Sequence, residues 1–145
     1  MILLPILLFV TVSASDWAVI VAGSSGYWNY RHQAAAASAY HYYLRRGIPK
    51  QQIITFMSGS IAKDELNPFF NKLYSAPGNI TNNKMDGIEI DYGSAEITTA
   101  KVLNVLSGNS FSSKRVLRSS AIDNVYVSFF TYGAPGVILL PKEAL

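Results

Sequence analysis

A continuous apolar run from Trp17 to Ala22, followed directly by Gly23, constrains this chain most. A strand that is apolar on both faces is typical of a parallel sheet covered by helices on both sides. A Gly/Ser turn and then an Ala-rich run, Ala34 to Tyr40, come next along the chain. This order of strand, turn and helix predicts an α/β unit, whose functional residues gather at the carboxyl ends of the strands.

The elements that follow alternate in the same way. The first helix is predicted from about Tyr30 to Arg46, because its apolar residues recur at helical spacing and Gly47 ends it. The pattern β-α-β-α-β predicts an α/β fold with an open, mainly parallel sheet and flanking helices. The other predicted elements are a second strand at Ile53–Met57, a helical turn near Pro68–Tyr74, a short strand at Ile88–Ile90, a second helix capped by Thr98 or Thr99 with Val102, Leu103, Val105 and Leu106 facing the sheet, a third strand at Asn124–Phe130 and a short strand at Val137–Leu140.

Residues 1–15 are predicted to be a signal peptide, so that the domain covers residues 16–145. Met1 to Val12 is almost wholly apolar, and Ser13-Ala14-Ser15 supplies small residues for cleavage. The run is shorter than the roughly 20 residues of a membrane span. Because the usual basic residues are missing at its start, the alternative is a buried terminal strand or helix. The segment favours the secretory pathway, with an extracellular or a lysosomal or vacuolar destination.

Two further features bear on modification and on partners. Asn79-Ile80-Thr81 is an N-glycosylation sequon, and the preceding Pro77-Gly78 places it in a loop. The net charge is +3, but the basic residues form small clusters without interleaved aromatics, so nucleic acid is not expected as a partner. No cofactor and no metal site is predicted, since the two histidines lack an acidic partner at ligand spacing.

The turn after the first strand, from Ser24 to Gln33, carries unusual chemistry. From Tyr27 to His32 it brings together aromatic rings, an amide, a guanidinium and an imidazole. A plain connection would consist mainly of Gly, Asp, Asn and Pro. The stretch therefore predicts a site loop at the carboxyl edge of the sheet.

The same stretch resembles a known family. Trp17-Ala-Val-Ile-Val-Ala-Gly and Asn29-Tyr-Arg-His-Gln-Ala resemble the opening of the legumains, the asparaginyl cysteine endopeptidases of peptidase family C13. The similarity continues through Arg46-Gly-Ile-Pro and Asp91-Tyr-Gly to Gly133-Ala-Pro-Gly-Val. The catalytic subunit of the GPI transamidase is a more distant relative. The resemblance implies a caspase-like fold, incomplete at the C-terminus, and cysteine-type hydrolysis of peptides after asparagine.

The resemblance also implies roles for individual residues. Asn29 matches the asparagine that orients the catalytic histidine, and its amide oxygen can accept the Nδ1–H of an imidazole. Arg31 and His32 match the pocket that selects asparagine, where a guanidinium offers several donors to a side-chain carbonyl. The alternatives are an Asn that bonds the turn backbone, a solvated arginine and a histidine satisfied by local backbone.

Two departures from the family pattern argue against activity. Tyr132 stands in the position of the catalytic histidine, and a phenol with a pKa of about 10 is a poor base near neutral or acid pH. The chain contains no cysteine, so it carries no thiolate nucleophile and no disulfide. We expect a legumain-like homologue that is truncated and inactive as this chain.

Alternatives remain for the function and for the partners. The chain could be a secreted binding or decoy protein, or a subunit of the GPI-transamidase type. The expected partner is a peptide or protein containing asparagine. Self-association is also expected, through an open edge of the sheet.

Overall fold

The fold is built around a parallel sheet whose central strand, β1, covers Asp16–Ala22. A computed structural model describes residues 13–75, 82–109 and 114–141. Within these ranges four short 3-10 turns, at Tyr27–Asn29, Lys50–Gln52, Ile61–Lys63 and Ser94–Glu96, lie between the main elements. The main elements in chain order are β1 (Asp16–Ala22), α1 (Tyr30–Arg45), β2 (Ile53–Phe56), α2 (Thr99–Leu106), β3 (Asn124–Phe130), β4 (Gly133–Ala134) and β5 (Val137–Ile138).

The three long strands are parallel and lie in the order β2-β1-β3. Val19 on β1 is paired with Ile54 on β2 and with Val127 on β3. Every residue from Ala18 to Ala22 is fully buried, as a central strand covered on both faces requires. The predicted mainly parallel open α/β sheet is confirmed, and the third strand has the predicted bounds.

The two faces of the sheet carry separate cores, because successive side chains of a strand point to opposite sides. Ala18 and Ile20 pack with Ala36 and Tyr40 of α1 on one face. On the other face, Val19, Val21 and Phe56 pack with Val102 and Val105 of α2, and Tyr92 stacks on Phe56 at 4.4 Å between ring centres. The two helices therefore cover opposite faces of the sheet.

Helix α2 buries a narrower stripe than the sequence pattern predicts. Thr98 caps it, accepting a hydrogen bond from the Lys101 N–H at 3.2 Å. Val102 and Val105 are buried, whereas Leu103 is 59% exposed. The prediction that Leu103 faces the sheet is wrong, because an eight-residue helix presents mainly its i, i+3 positions to a neighbouring surface.

Two short elements expected in the long connection between β2 and α2 do not form. The segment Pro68–Tyr74 is a series of turns held by Asn67, whose amide donates to the carbonyls of Ala62 and Lys72, each at 2.9 Å. Residues Ile88–Ile90 do not pair as a strand; only Tyr92 forms a bridge, to Phe56. Side-chain hydrogen bonds replace the regular backbone pairing in both places.

A partly buried ion pair joins this connection to β2. Arg115 donates from Nη1 to the carbonyls of Lys50 at 2.7 Å and Ile53 at 2.9 Å, and its Nε lies 3.3 Å from Asp91 Oδ1. The other carboxylate oxygen of Asp91 accepts the Thr55 N–H at 2.9 Å. Burial raises the pKa of Asp91 above its usual value, and these donors oppose that rise.

Some of the sequence predictions cannot be compared with the fold. Residues 1–12 of the predicted signal peptide and the glycosylation residue Asn79 lie outside the described residues. In the described ranges, no helix combines the length and the apolar character needed to cross a membrane.

Candidate functional site

The candidate site lies where β1 and β3 end. The two strands are parallel neighbours, so their carboxyl ends meet at one edge of the sheet. The Gly23 N–H donates to the Phe130 carbonyl at 3.1 Å, and the Thr131 hydroxyl donates to the Gly23 carbonyl at 3.0 Å. A Cβ on Gly23 would lie 2.8 Å from the Thr131 hydroxyl oxygen, so only glycine permits this approach. The loops after both strands are therefore tied together.

Asn29 faces Tyr132 across this edge. The Tyr132 hydroxyl donates to Asn29 Oδ1 at 2.7 Å, and Asn29 Nδ2 donates to the Ser25 carbonyl at 2.7 Å. Asn29 directly precedes helix α1, but its side chain makes no capping hydrogen bond there. The amide thus holds the turn through its nitrogen and presents its oxygen to residue 132.

Arg31 and His32 meet the same tyrosine from the first turn of α1. The guanidinium carbon of Arg31 lies 5.2 Å from the centre of the Tyr132 ring, within the range of a cation–π contact. The His32 ring lies 5.0 Å away in an edge-to-face arrangement, with 79° between the two planes. The structure therefore brings all four predicted site residues together, with Tyr132 in contact with the other three.

His32 is held by Ser24, which lies in the predicted site loop but to which the sequence assigns no role of its own. The Ser24 hydroxyl lies 2.6 Å from His32 Nδ1, and Ser24 is only 7% exposed. Burial, and secondarily the charge of Arg31, lower the pKa of His32. A neutral imidazole that accepts the Ser24 proton at Nδ1 carries its own proton on Nε2, where it can serve as a donor. The signal for Ser24 in the sequence is a small hydroxyl residue at the start of that loop, two positions after a buried strand ends.

The Ser24–His32 pair is not arranged as a nucleophile with its base. No carboxylate among the described residues bonds the His32 ring, and the Ser24 hydroxyl is buried away from solvent. The second histidine, His41, lies in the middle of α1 with its Nε2 3.0 Å from the Lys84 carbonyl, outside the site. The assembled groups can donate hydrogen bonds and stack, and they offer no base beside an accessible nucleophile.

Within residues 13–75, 82–109 and 114–141, no three side chains of the His, Cys, Asp and Glu types come together as a metal site would need.

Comparisons with known proteins agree on one family. The sequence model of the peptidase C13 family matches residues 16–145. The hemoglobinase of Schistosoma mansoni is 42% identical over 138 residues, which cover 93% of this chain and 31% of that protein. The legumain of Rattus norvegicus is 40% identical over 134 residues, covering 89% and 30%. The vacuolar-processing enzyme of Phaseolus vulgaris is 37% identical over 135 residues, covering 87% and 26%. The chain spans less than a third of the length of these relatives.

Proposed function

The chain belongs to the peptidase C13 family, and we propose that it is a legumain-like member that binds asparagine-containing peptides without hydrolysing them. One observation carries the proposal. The group that contacts Asn29 Oδ1 at 2.7 Å is the phenol of Tyr132 and not an imidazole. In a catalytic triad the orienting group accepts a proton from the base and thereby fixes its tautomer.

Tyr132 keeps the contact with Asn29 but lacks the basicity of a histidine. Its hydroxyl proton is donated to Asn29, and a phenol is a far poorer general base than the imidazole of a histidine. This 145-residue chain also contains no cysteine. Within residues 1–145, a tyrosine therefore stands in the position of the base, and no thiolate is present.

The groups expected to recognise asparagine are present. Arg31 is exposed on the first turn of α1, and the His32 ring beside it bonds Ser24 through Nδ1, which leaves Nε2 for a ligand. Two adjacent donors suit the carbonyl oxygen of a side-chain amide. Relatives named legumain and hemoglobinase make a peptide or protein a consistent ligand class.

The proposal includes a secretory route. It rests on the apolar segment and small residues within residues 1–15 and on the sequon at Asn79, and one relative is named a vacuolar-processing enzyme. Expression in a secreting cell followed by intact mass, with and without glycosidase, tests both features. An N-terminus still at Met1 would rule out the signal peptide.

Peptide binding is tested by titration. A blocked tripeptide ending in asparagine amide, added to the ¹⁵N-labelled chain, is expected to shift the backbone resonances of Arg31, His32 and Tyr132. The same peptide with leucine in place of asparagine should bind more weakly, because it presents no side-chain carbonyl oxygen to the two donors. Arg31→Gln should abolish the difference between the two peptides, whereas Arg118→Gln, at an exposed arginine before β3, should not. Equal affinity of the wild type for both peptides would refute the proposed selectivity.

A further inference from the structure

A second cleft lies at the opposite end of the sheet from the candidate site. It has a volume of about 520 Å³ and is lined where β1 begins and where α1 ends, with Asp16, Arg45 and Arg46 on its wall. Clefts that hold small molecules have volumes of about 300–1,000 Å³. The Asn29–Tyr132 contact involves none of these residues, so this cleft is separate from the proposed peptide site.

One wall of the cleft is aromatic and firmly held. The rings of Tyr43 and Tyr126 lie 5.8 Å apart, with 32° between their planes. The Tyr43 hydroxyl is 2.8 Å from the Ser128 hydroxyl on β3, which fixes its ring, and Tyr126 remains 44% exposed. Ile48, which is 3% exposed, also lines the cleft. A flat aromatic surface beside an apolar side chain suits a planar ring, which stacks against tyrosine at a small cost in entropy.

The other wall carries two guanidinium groups. Among the described residues neither Arg45 nor Arg46 forms an ion pair; the ion pairs there use Lys114 and Arg115. Arg46 lies 5.9 Å from the centre of the Tyr42 ring, which positions it without neutralising it. An arginine without a carboxylate partner is suited to a bidentate bond with an anion.

Neither arginine is needed to finish the helix. The backbone N–H groups of Arg46, Gly47 and Ile48 donate to carbonyls of the last turn of α1 at 3.0–3.1 Å. The guanidinium groups are therefore available to a ligand. Asp16, the acidic residue in the lining, has its carboxylate engaged by Asn124 Nδ2 at 2.8 Å. Positive charge thus exceeds negative charge in the cleft by two side chains to one.

We propose that this cleft binds a small aromatic anion, a planar ring that carries a phosphate, sulfate or carboxylate group. The ring packs against Tyr43 and Tyr126, and the anionic group accepts hydrogen bonds from Arg45 and Arg46. The carboxylate of Asp16 repels the anion from the β1 side, so the ligand lies with its charge toward the end of α1.

The test is a titration of the ¹⁵N-labelled chain with phenyl phosphate and, separately, with benzoate. Backbone resonances of Ile48 and Tyr126 are expected to shift with saturation. Phenol, which lacks the charge, and inorganic phosphate, which lacks the ring, are each expected to bind at least about tenfold more weakly than phenyl phosphate. The response to benzoate shows whether a carboxylate replaces a phosphate.

Matched variants separate this site from the surface and from the peptide site. Arg45→Gln, Arg46→Gln and Tyr126→Leu should each weaken phenyl phosphate by about tenfold, while Arg118→Gln and Arg31→Gln leave it unchanged. All these positions except Arg31 are remote from Tyr132, and amide dispersion reports whether each variant is folded. The proposal is overturned if neither anion shifts Ile48 and Tyr126, if phenol binds as well as phenyl phosphate, or if the variants at Arg45 and Arg46 bind like the wild type.

Discussion

The hydrogen bond between Tyr132 and Asn29 allows the loss of stability on substituting Tyr132 to be predicted. Tyr132→Phe removes the hydroxyl that donates to Asn29 Oδ1 and keeps the ring against Arg31 and His32. A hydrogen bond between neutral groups contributes a net of about 0.5–1.5 kcal/mol. Tyr132 is 48% exposed, so water replaces part of the lost bond and the low end applies. We expect the free energy of unfolding to fall by about 0.5 kcal/mol.

The ring itself adds a second, separable contribution. Tyr132→Leu also removes the cation–π contact with Arg31, which is worth about 0.5–1 kcal/mol at an exposed site. The total loss for Tyr132→Leu is therefore expected to be about 1–1.5 kcal/mol, the sum of the two contributions. Stability should fall from the wild type to Tyr132→Phe and again to Tyr132→Leu, because each successive side chain retains fewer contacts.

Urea unfolding of a double-mutant cycle measures the pair directly. The cycle combines Tyr132→Phe with Asn29→Ala, and subtraction removes the separate loss of the Asn29–Ser25 bond. Tyr42→Phe is the matched control, since Tyr42 is 50% exposed and its hydroxyl bonds no group in the described residues. That variant should have wild-type stability. A coupling free energy of zero between positions 132 and 29 would show that the bond does not form in solution, and the account of the site would fail with it.

Three further predictions concern stability and association. In urea unfolding, Arg115→Met should lower the free energy of unfolding by about 2–3 kcal/mol, because it leaves the Asp91 carboxylate, which is 9% exposed, without its ion-pair partner. Lys114→Met removes a more exposed ion pair and should lower it by less than about 1 kcal/mol. Equal losses for the two variants would contradict this difference. Because the pKa of His32 is lowered in the folded state, the contribution of His32 to stability is complete above its unfolded pKa of about 6.5 and is lost as the pH falls through the folded value. The melting temperature should therefore fall less steeply with decreasing pH for His32→Gln than for the wild type. Parallel curves of melting temperature against pH for the two proteins would refute the lowered pKa. Strand β3 pairs only with β1 among the described strands, and Val127 on β3 is 42% exposed. Size-exclusion chromatography should therefore show concentration-dependent association that Val127→Lys reduces. A sharp monomer peak at every concentration would count against association through β3.

The main elements were predictable because their signals are local. Alternation of apolar runs with helical periodicity was enough to predict a parallel sheet, and the β-branched and aromatic run of β3 has the predicted bounds. The errors in the connection between β2 and α2 occur where side chains replace backbone pairing. Asp91 satisfies the Thr55 N–H through its carboxylate, which no pattern of apolar residues indicates, and the expected strand at Ile88–Ile90 is absent as a result.

The site was predictable in its residue types and not in its contacts. Asn29, Arg31, His32 and Tyr132 were named from the resemblance, and their convergence depends on the register between β1 and β3. Ser24 lies in the predicted site loop, but its contact with His32 was not predictable, because serine is common in any turn. In the same way, Arg45 and Arg46 have the pattern of a solvated helix end, and only the fold places them beside Tyr126.

The central claim is that the site of this chain binds and does not hydrolyse. The most direct measurement is turnover of a fluorogenic asparaginyl peptide at acidic pH by the purified wild type, Tyr132→His and Asn29→Ala. Loss of a triad nucleophile costs roughly six orders of magnitude in kcat, so restoring an imidazole alone should not restore activity. We predict no turnover above buffer for any of the three proteins. Turnover by the wild type that follows the protein through purification and disappears in Asn29→Ala would contradict the account.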